Sequence, residues 1–339
     1  MSRHVSHTRW HQLLDRLDAL ERAPNSDLLR GLLGSVVGLF EQGADRRDLR
    51  MAHLALRESR RALEVFAPYR HVPKIAIFGS ARTQPDQPSY RMAEAFAREI
   101  VAHGFMVITG AGGGIMEAAQ GGAGAKRSFG LNIELPFEQE ANRYIAGDPK
   151  LLDFRFFFTR KLFFLMETRA LALFPGGFGT LDEGFEALTL IQTGKATPMP
   201  IVLMESENST YWEDWRDYIC DHLLGRGLIS EEDLRLLAIH HSVESGVGEV
   251  LRFFRVFHSA HRHKNGVTLW TWRPLDDTEI ERLNDTFADM MNGRGIERLC
   301  IPNKPIMDTD AEVLSCIDVP MNHRHQGRLR QLIDEINRL

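Results

Sequence analysis

With 339 residues, 43% of them hydrophobic and 26% charged, the chain has the make-up of an ordinary globular protein with room for two or three domains. A net charge of −5 excludes a general electrostatic grip on nucleic acid, though not a locally basic pocket. Cys220, Cys300 and Cys316 are few, odd in number and outside metal-ligand spacing, which argues for free thiols in a reducing cytosol. There is no run of about 18 apolar residues to span a membrane, and MSRHVSHTRW lacks the apolar core of a signal peptide, so a cytoplasmic protein is expected.

Residues 1–70 read as helical. Leu13, Leu14, Leu17 and Leu20 follow helical spacing, and Pro24, Asn25 and Ser26 mark a break and a cap. Leu28, Leu29, Leu32, Leu33, Val36, Val37 and Phe40 form a broader apolar face that ends at Gly43. A third helix is expected from about Asp45 to Phe66, its arginines balanced by acids on a solvated face.

From Lys74 the pattern alternates between strands and helices. KIAIF (Lys74–Phe78) reads as a strand leading into Gly79-Ser80. A helix is expected from Tyr90 to His103, with Gly104 ending it. FMVIT (Phe105–Thr109) runs into Gly110, Ala111, Gly112, Gly113 and Gly114 and a further helix. Leu131–Leu135, closed by Pro136, Leu171–Phe174 and Ile201–Met204 continue the series. Such alternation predicts an α/β fold, a Rossmann-like parallel sheet with helices on both faces, whose ligands bind beyond the carboxyl ends of the strands. Three glycine-rich loops, at Gly79, Gly110–Gly114 and Gly176–Thr180, sit at such ends. Residues 212–258 are expected to be helices packing on the sheet, with His240 and His241 in structural roles. Residues 263–339 read as a small separate α/β unit, with strands at Val267–Trp272, Arg298–Pro302 and Val313–Val319 and helices at Asp276–Asn292 and His325–Leu339. His323 and His325 have no obvious partner at metal-ligand spacing, and no metal is expected. The domain boundaries implied are 1–70, 71–262 and 263–339.

The stretch Arg160–Glu186 carries most of the chemistry. Its Pro175-Gly-Gly-Phe-Gly-Thr180 segment lies between a strand and a helix expected to start after Thr180. Glycines there let backbone N–H groups approach a phosphate, which makes Gly176, Gly177, Gly179 and Thr180 the candidate phosphate cradle. Glu183 places a carboxylate in the first turn. Thr180-x-x-Glu183 also fits a capping box, in which both side chains merely satisfy orphan N–H groups. Gly110-Ala-Gly112 begins a dinucleotide fingerprint, with Glu134 as its ribose acid, but Ile115 stands where the third glycine belongs. Gly122 to Ser128 lacks Walker A spacing.

These motifs together resemble the Lonely Guy (LOG) family of nucleoside 5′-monophosphate phosphoribohydrolases. Pro175-Gly-Gly-Phe-Gly-Thr180-Leu-Asp-Glu183 is similar to the family's P-G-G-x-G-T-x-x-E motif, and Arg160-Lys161 to its upstream Arg-Lys pair. Gly112-Gly-Gly-Ile-Met-Glu-Ala118, Gly130–Phe137 and Leu190–Lys195 look like the bacterial branch. The resemblance covers about residues 72–225 and leaves both terminal segments aside. It implies cleavage of the N-ribosidic bond of a purine or cytokinin nucleotide, giving free base and ribose 5-phosphate. Glu183 and Arg160 would be catalytic, Glu183 stabilising positive charge on the ribose or orienting water and Arg160 anchoring the nucleotide. Ser80, Gly112, Gly113, Gly114, Met116, Glu117 and Lys161 would line the nucleotide pocket. No cofactor, nucleic acid or membrane partner is expected, and a homodimer or higher homo-oligomer is. The competing readings are a non-catalytic nucleotide or molybdenum-cofactor carrier, and a dehydrogenase. A lysine decarboxylase, a label similar sequences have carried, would need a Schiff-base lysine and a partner for the pyridoxal ring nitrogen.

Overall fold

The computed structural model describes residues 24–135, 140–299, 314–322 and 324–339. The expected first helix, Pro136, Phe137, Cys300–Pro302, Val313 and His323 lie outside the described residues. Two compact units are present, Met1–Ser59 and Arg60–Leu339.

In the first unit, α1 (Ser26–Glu41) runs to a turn at Gly43, whose φ of 70° suits glycine. Leu28, Leu32, Val36 and Phe40, one i, i+4 row of α1, are all exposed. α2 (Arg46–Phe66) begins in this unit and ends in the second.

The second unit is built on a seven-stranded, wholly parallel sheet in the order β4-β3-β2-β1-β5-β6-β7. Its strands are β1 (Lys74–Phe78), β2 (Met106–Thr109), β3 (Ser128–Ile133), β4 (Leu151–Phe154), β5 (Ala170–Leu173), β6 (Ile201–Met204) and β7 (Leu237–His240). The central strands are buried along their whole length, as parallel sheets covered on both faces require. Alternate residues feed two cores. Ala76, Phe78, Ile108 and Leu171 join Ala62 and Phe66 of α2, Phe163 and Phe164 of α5 (Phe157–Glu167), Ala187 and Ile191 of α6 (Phe178–Gln192) and Trp212 of α7 (Tyr211–Ile219). Ile75, Ile77 and Val107 face α3 (Pro88–Ala102), α4 (Ile115–Ala123) and α8 (Val243–Phe253). The Rossmann-like expectation holds.

Two strands of this sheet were not expected. β4 is short and half-covered, and β7 replaces part of a predicted helical region. His240 therefore ends an edge strand rather than sitting on a helix, and His241 follows it. Both strands lie at the rims of the sheet, where partial burial blurs the apolar run that marks a central strand.

A second, antiparallel sheet, β10-β11-β9-β8, closes the chain: β8 (Phe257–His263), β9 (Gly266–Thr271), β10 (Glu297–Arg298) and β11 (Ser315–Val319). β8 lies partly within the expected helical stretch. Helices α9 (Asp277–Phe287), started by a full capping box of Asp276 and Glu279, and α10 (Gln326–Ile336) cover it. Its core includes Phe253 from the end of α8, and Arg330 of α10 reaches Glu249 of α8 at 2.6 Å. The side chain of Asn337 accepts from the backbone N–H groups of Val256 and Phe257. Helix α8 thus serves both sheets. Among the described residues, no helix is long and apolar enough to cross a membrane.

Candidate functional site

From β1 the chain builds outward to β2, β3 and β4 on one side, then returns to add β5, β6 and β7 on the other. The switch point lies between β1 and β5, and open parallel sheets bind their ligands at such a point, beyond the carboxyl ends of the strands. All three glycine loops meet there. The Ser80 N–H donates to the Pro175 carbonyl (3.1 Å), which ties the first loop to the third. The Ile115 N–H donates to the Ser80 carbonyl (3.1 Å), which ties the second to the first.

Several glycines are demanded by the fold itself. A side chain on Gly114, whose φ is 63°, would strike the Ser80 carbonyl at 2.2 Å. One on Gly110 would meet the Arg160 guanidinium at 2.5 Å and the Met116 sulfur at 2.8 Å. One on Gly176 would overlap the Thr180 side chain. The contrast is with Gly177 and Gly179, where an added Cβ meets nothing within 4 Å and no positive φ is required. Packing does not explain glycine at those two places. Gly79 gives Ile115 its space, since a Cβ there would touch the isoleucine at 2.6 Å. The close strand–helix approach that a dinucleotide fingerprint takes from its third glycine is achieved here from the strand side.

Helix α6 starts at Phe178, three residues earlier than the sequence suggested. Gly177 is its N-cap, and no side chain caps it. The N–H groups of Thr180 and Leu181 already reach the Gly177 carbonyl. Thr180 and Glu183 therefore form no capping box, and Glu183 lies in the second turn. The capping alternative fails, and the two side chains are buried together on one face of the helix. The earlier start leaves the N–H groups of Phe178 and Gly179 as the orphan donors at the positive end of α6.

Glu183 is 6% exposed. Burial pushes its carboxyl up to about 7, against the pull of the Lys161 and Arg160 cations. Arg160, from α5, is largely buried. Its Nε donates to the Leu131 carbonyl at 2.8 Å, and its guanidinium lies over the Phe164 ring. Burial holds it below its ordinary value, partly offset by Glu183; it remains a cation at any neutral pH. Lys161 points to different partners, with its Nζ 2.7 Å from both Asp182 and Glu186. Burial would lower its pKa, but the hydrogen bonds its ammonium donates to those two carboxylates outweigh it, and it is held above its ordinary value.

Ser80, Gly112, Gly113, Gly114 and Met116 all belong to the converging loops or the first turn of α4. Glu117 sits on that helix too, but its carboxylate is 3.2 Å from Arg143. Glu134 lies at the rim, half exposed and paired with Arg155. Two further residues complete the loops. Asn142, 8% exposed, donates from Nδ2 to the Ala111 and Gly112 carbonyls, and its N–H also reaches Ala111. It thereby holds Ala111 at a φ of 63°, a conformation alanine seldom adopts. The Tyr211 hydroxyl donates to the Gly176 carbonyl at 2.6 Å. Neither residue had a sequence signal, because each acts on backbone distant in the chain.

Residues 111–250 match the family described as "Possible lysine decarboxylase", a span that takes in the second glycine loop from Ala111 on, the third glycine loop, Arg160 and Glu183. This supports the LOG-type resemblance. No curated protein matches the chain. Among solved structures, the chain is similar to the structural-genomics target TM1055, with 22% identity over 52% of this chain and 96% of that one, and a TM-score of 0.37. It is also similar to the molybdenum cofactor carrier protein of Chlamydomonas reinhardtii, with 21% identity over 52% and 94% and a TM-score of 0.36. A third similar structure is DNA processing protein A of Helicobacter pylori, with 16% identity over 54% and 82% and a TM-score of 0.38.

Proposed function

We propose that the chain hydrolyses the N-ribosidic bond of a purine or cytokinin nucleoside 5′-monophosphate, releasing free base and ribose 5-phosphate. The observation that carries this reading is Glu183: a buried carboxyl, raised to about 7, flanked by two cations and standing one turn inside the helix whose open N-terminus adjoins Gly176, Gly177 and Gly179.

The 5′-phosphate rests on the orphan N–H groups at the start of α6, where the helix dipole favours an anion. Gly177 and Gly179 leave room for it to reach the backbone. The ribose then extends toward Glu183. As the bond to the base breaks, positive charge grows on the ribose ring. Ionised Glu183 stabilises that charge and orients the attacking water. Arg160 offers its guanidinium to the nucleotide; it is too basic to act as a general acid. Lys161 is drawn away by Asp182 and Glu186, so it shapes the acid cluster rather than contacting the nucleotide directly. That arrangement also speaks against a pyridoxal enzyme built on Lys161, which would need the amine free to form a Schiff base. A homodimer or higher homo-oligomer is part of the proposal, and sedimentation equilibrium of the full chain checks it.

The test is incubation with AMP and a panel of other monophosphates, with free base measured by chromatography. Release by the parent and not by Glu183→Gln supports the proposal. A parent that binds a monophosphate tightly and releases no base from any of them turns the reading toward a carrier. Protection by NAD and not by AMP turns it toward a dehydrogenase.

A further inference from the structure

One strand beyond the glycine loops, the same edge of the sheet buries a second acid. Glu205 follows β6 directly and is completely buried. Its Oε2 accepts from the Ser209 hydroxyl at 3.0 Å and from the Trp212 N–H at 2.9 Å, which anchors the start of α7. Its Oε1 is just as buried and has no hydrogen-bond partner among the described residues. An orphaned buried acceptor costs about 1–3 kcal/mol, and more when it is ionised. A cation would supply what this oxygen lacks.

Two metal-ligating side chains converge on the Glu205 carboxylate. Glu213 comes from the first turn of α7, and His241 comes from the residue after β7. The ligand atoms of Glu205, Glu213 and His241 all lie within 4.8 Å of one another. Around an ion with bonds of about 2.1 Å, ligand atoms stand roughly 3–4 Å apart. Small rotations of half-buried Glu213 and exposed His241 close that gap, while Glu205 stays fixed by its two donors. Arg216 pairs with Glu213 through Oε2, which leaves Oε1 as the oxygen 3.6 Å from the His241 Nε2. An imidazolium–carboxylate pair would satisfy Glu213 but would leave Glu205 Oε1 without a partner.

We propose that Glu205, Glu213 and His241 bind a divalent first-row transition-metal ion. One imidazole and two carboxylates suit zinc, cobalt or manganese, whereas magnesium and calcium favour all-oxygen sites. The ion would tie the end of β6, the end of β7 and the start of α7 to one point. Helix α7 opens with Tyr211, whose hydroxyl holds the Gly176 carbonyl. The site would therefore brace the glycine loop from behind, as a structural centre.

The experiment uses the full chain, freed of metal with a chelator and then titrated with Co2+, Zn2+ or Mg2+. One Co2+ should bind per chain, with visible d–d absorption, and Zn2+ should raise Tm by several degrees. Mg2+ at the same concentration should do neither. Glu213→Gln and His241→Asn are exposed enough to fold, and each should weaken Co2+ binding at least about tenfold while leaving the metal-free Tm close to that of the parent. Glu205→Gln should abolish binding. The proposal is overturned if the parent holds no ion, if it prefers Mg2+, or if the exposed variants bind Co2+ as tightly as the parent.

Discussion

The carboxyl edge of the parallel sheet buries two glutamates in opposite ways. Glu205, after β6, is anchored by a backbone N–H and a hydroxyl. Glu183, on α6, accepts no hydrogen bond among the described residues; burial raises it, the Lys161 and Arg160 cations pull it down, and the Glu186 and Asp182 carboxylates add to the rise. A carboxylate oxygen gripped by two donors is fixed in place. One that is desolvated with nothing bonded to it is costly to ionise, and such groups concentrate at reactive sites. The difference favours the proposed chemical role for Glu183 and an architectural one for Glu205.

The harshest way to break that contrast is Glu183→Gln. Base release should fall by about a thousandfold or more, as expected when a charge-stabilising group is lost, while circular dichroism stays unchanged. Equal turnover by parent and variant would remove Glu183 from the reaction. In the parent, kcat/KM should rise about tenfold per pH unit below about 7 and then level off, because the ionised form is the working one. The same substitution should act on stability with the opposite sign. The folded pKa is about 7 against an ordinary value of 4.5. Between those values the unfolded chain has released its proton and the folded chain has kept it. Stability therefore falls as pH rises through that window, by up to ~3 kcal/mol. Glu183→Gln should melt several degrees above the parent at pH 8 and match it below about pH 4.5.

Arg160 comes next. Arg160→Ala should lower kcat/KM about a hundredfold through loss of the anchoring cation. Arg160→Lys should recover only part of that, because a lysine keeps the charge but loses the planar fork that holds the Leu131 carbonyl and, in the proposed reading, would also grip the nucleotide. Full rescue by lysine would reduce the role of Arg160 to charge alone.

Gly179→Ala separates the glycines needed for folding from those open to a ligand. A Cβ there meets nothing within 4 Å, and the residue lies inside α6. Alanine should therefore stabilise the chain by about 0.5–1 kcal/mol. If phosphate rests on this backbone, the same change should raise KM for a monophosphate about tenfold. A variant that is stabler and equally active would place the phosphate elsewhere.

Much of this site could be read from the sequence because its signals are local. KIAIF and IVLM are continuous apolar runs, and β1 and β6 lie where those runs lie. Pro-Gly-Gly-Phe-Gly-Thr marks a strand-to-helix turn by its glycines alone. The misplaced start of α6 came from the same stretch. Thr180 has the chemistry of a cap, but the extended backbone at Gly177 ends early enough to serve as the cap itself. LAIH was read as helix because an edge strand with four half-covered residues shows neither alternation nor a buried run. Asn142 could not be found, since its partners Ala111 and Gly112 stand 31 and 30 residues away. Nor could the pKa of Glu183, which depends on burial that the T-x-x-E spacing does not encode.

The smallest expected effect belongs to Tyr211→Phe. The hydroxyl donates to the Gly176 carbonyl at 2.6 Å, while the ring packs edge-on against Trp212. Phenylalanine keeps that ring contact and deletes one hydrogen bond, which is worth about 1 kcal/mol. Losing that bond should disturb the orientation of the loop without touching Glu183. KM for a monophosphate should then rise a few-fold, with kcat held within about twofold and the pH profile unmoved. A fall in kcat at constant KM would mean that Tyr211 acts on the bond being broken, and that it belongs with Glu183 in the proposed chemistry rather than with the residues that hold the loop.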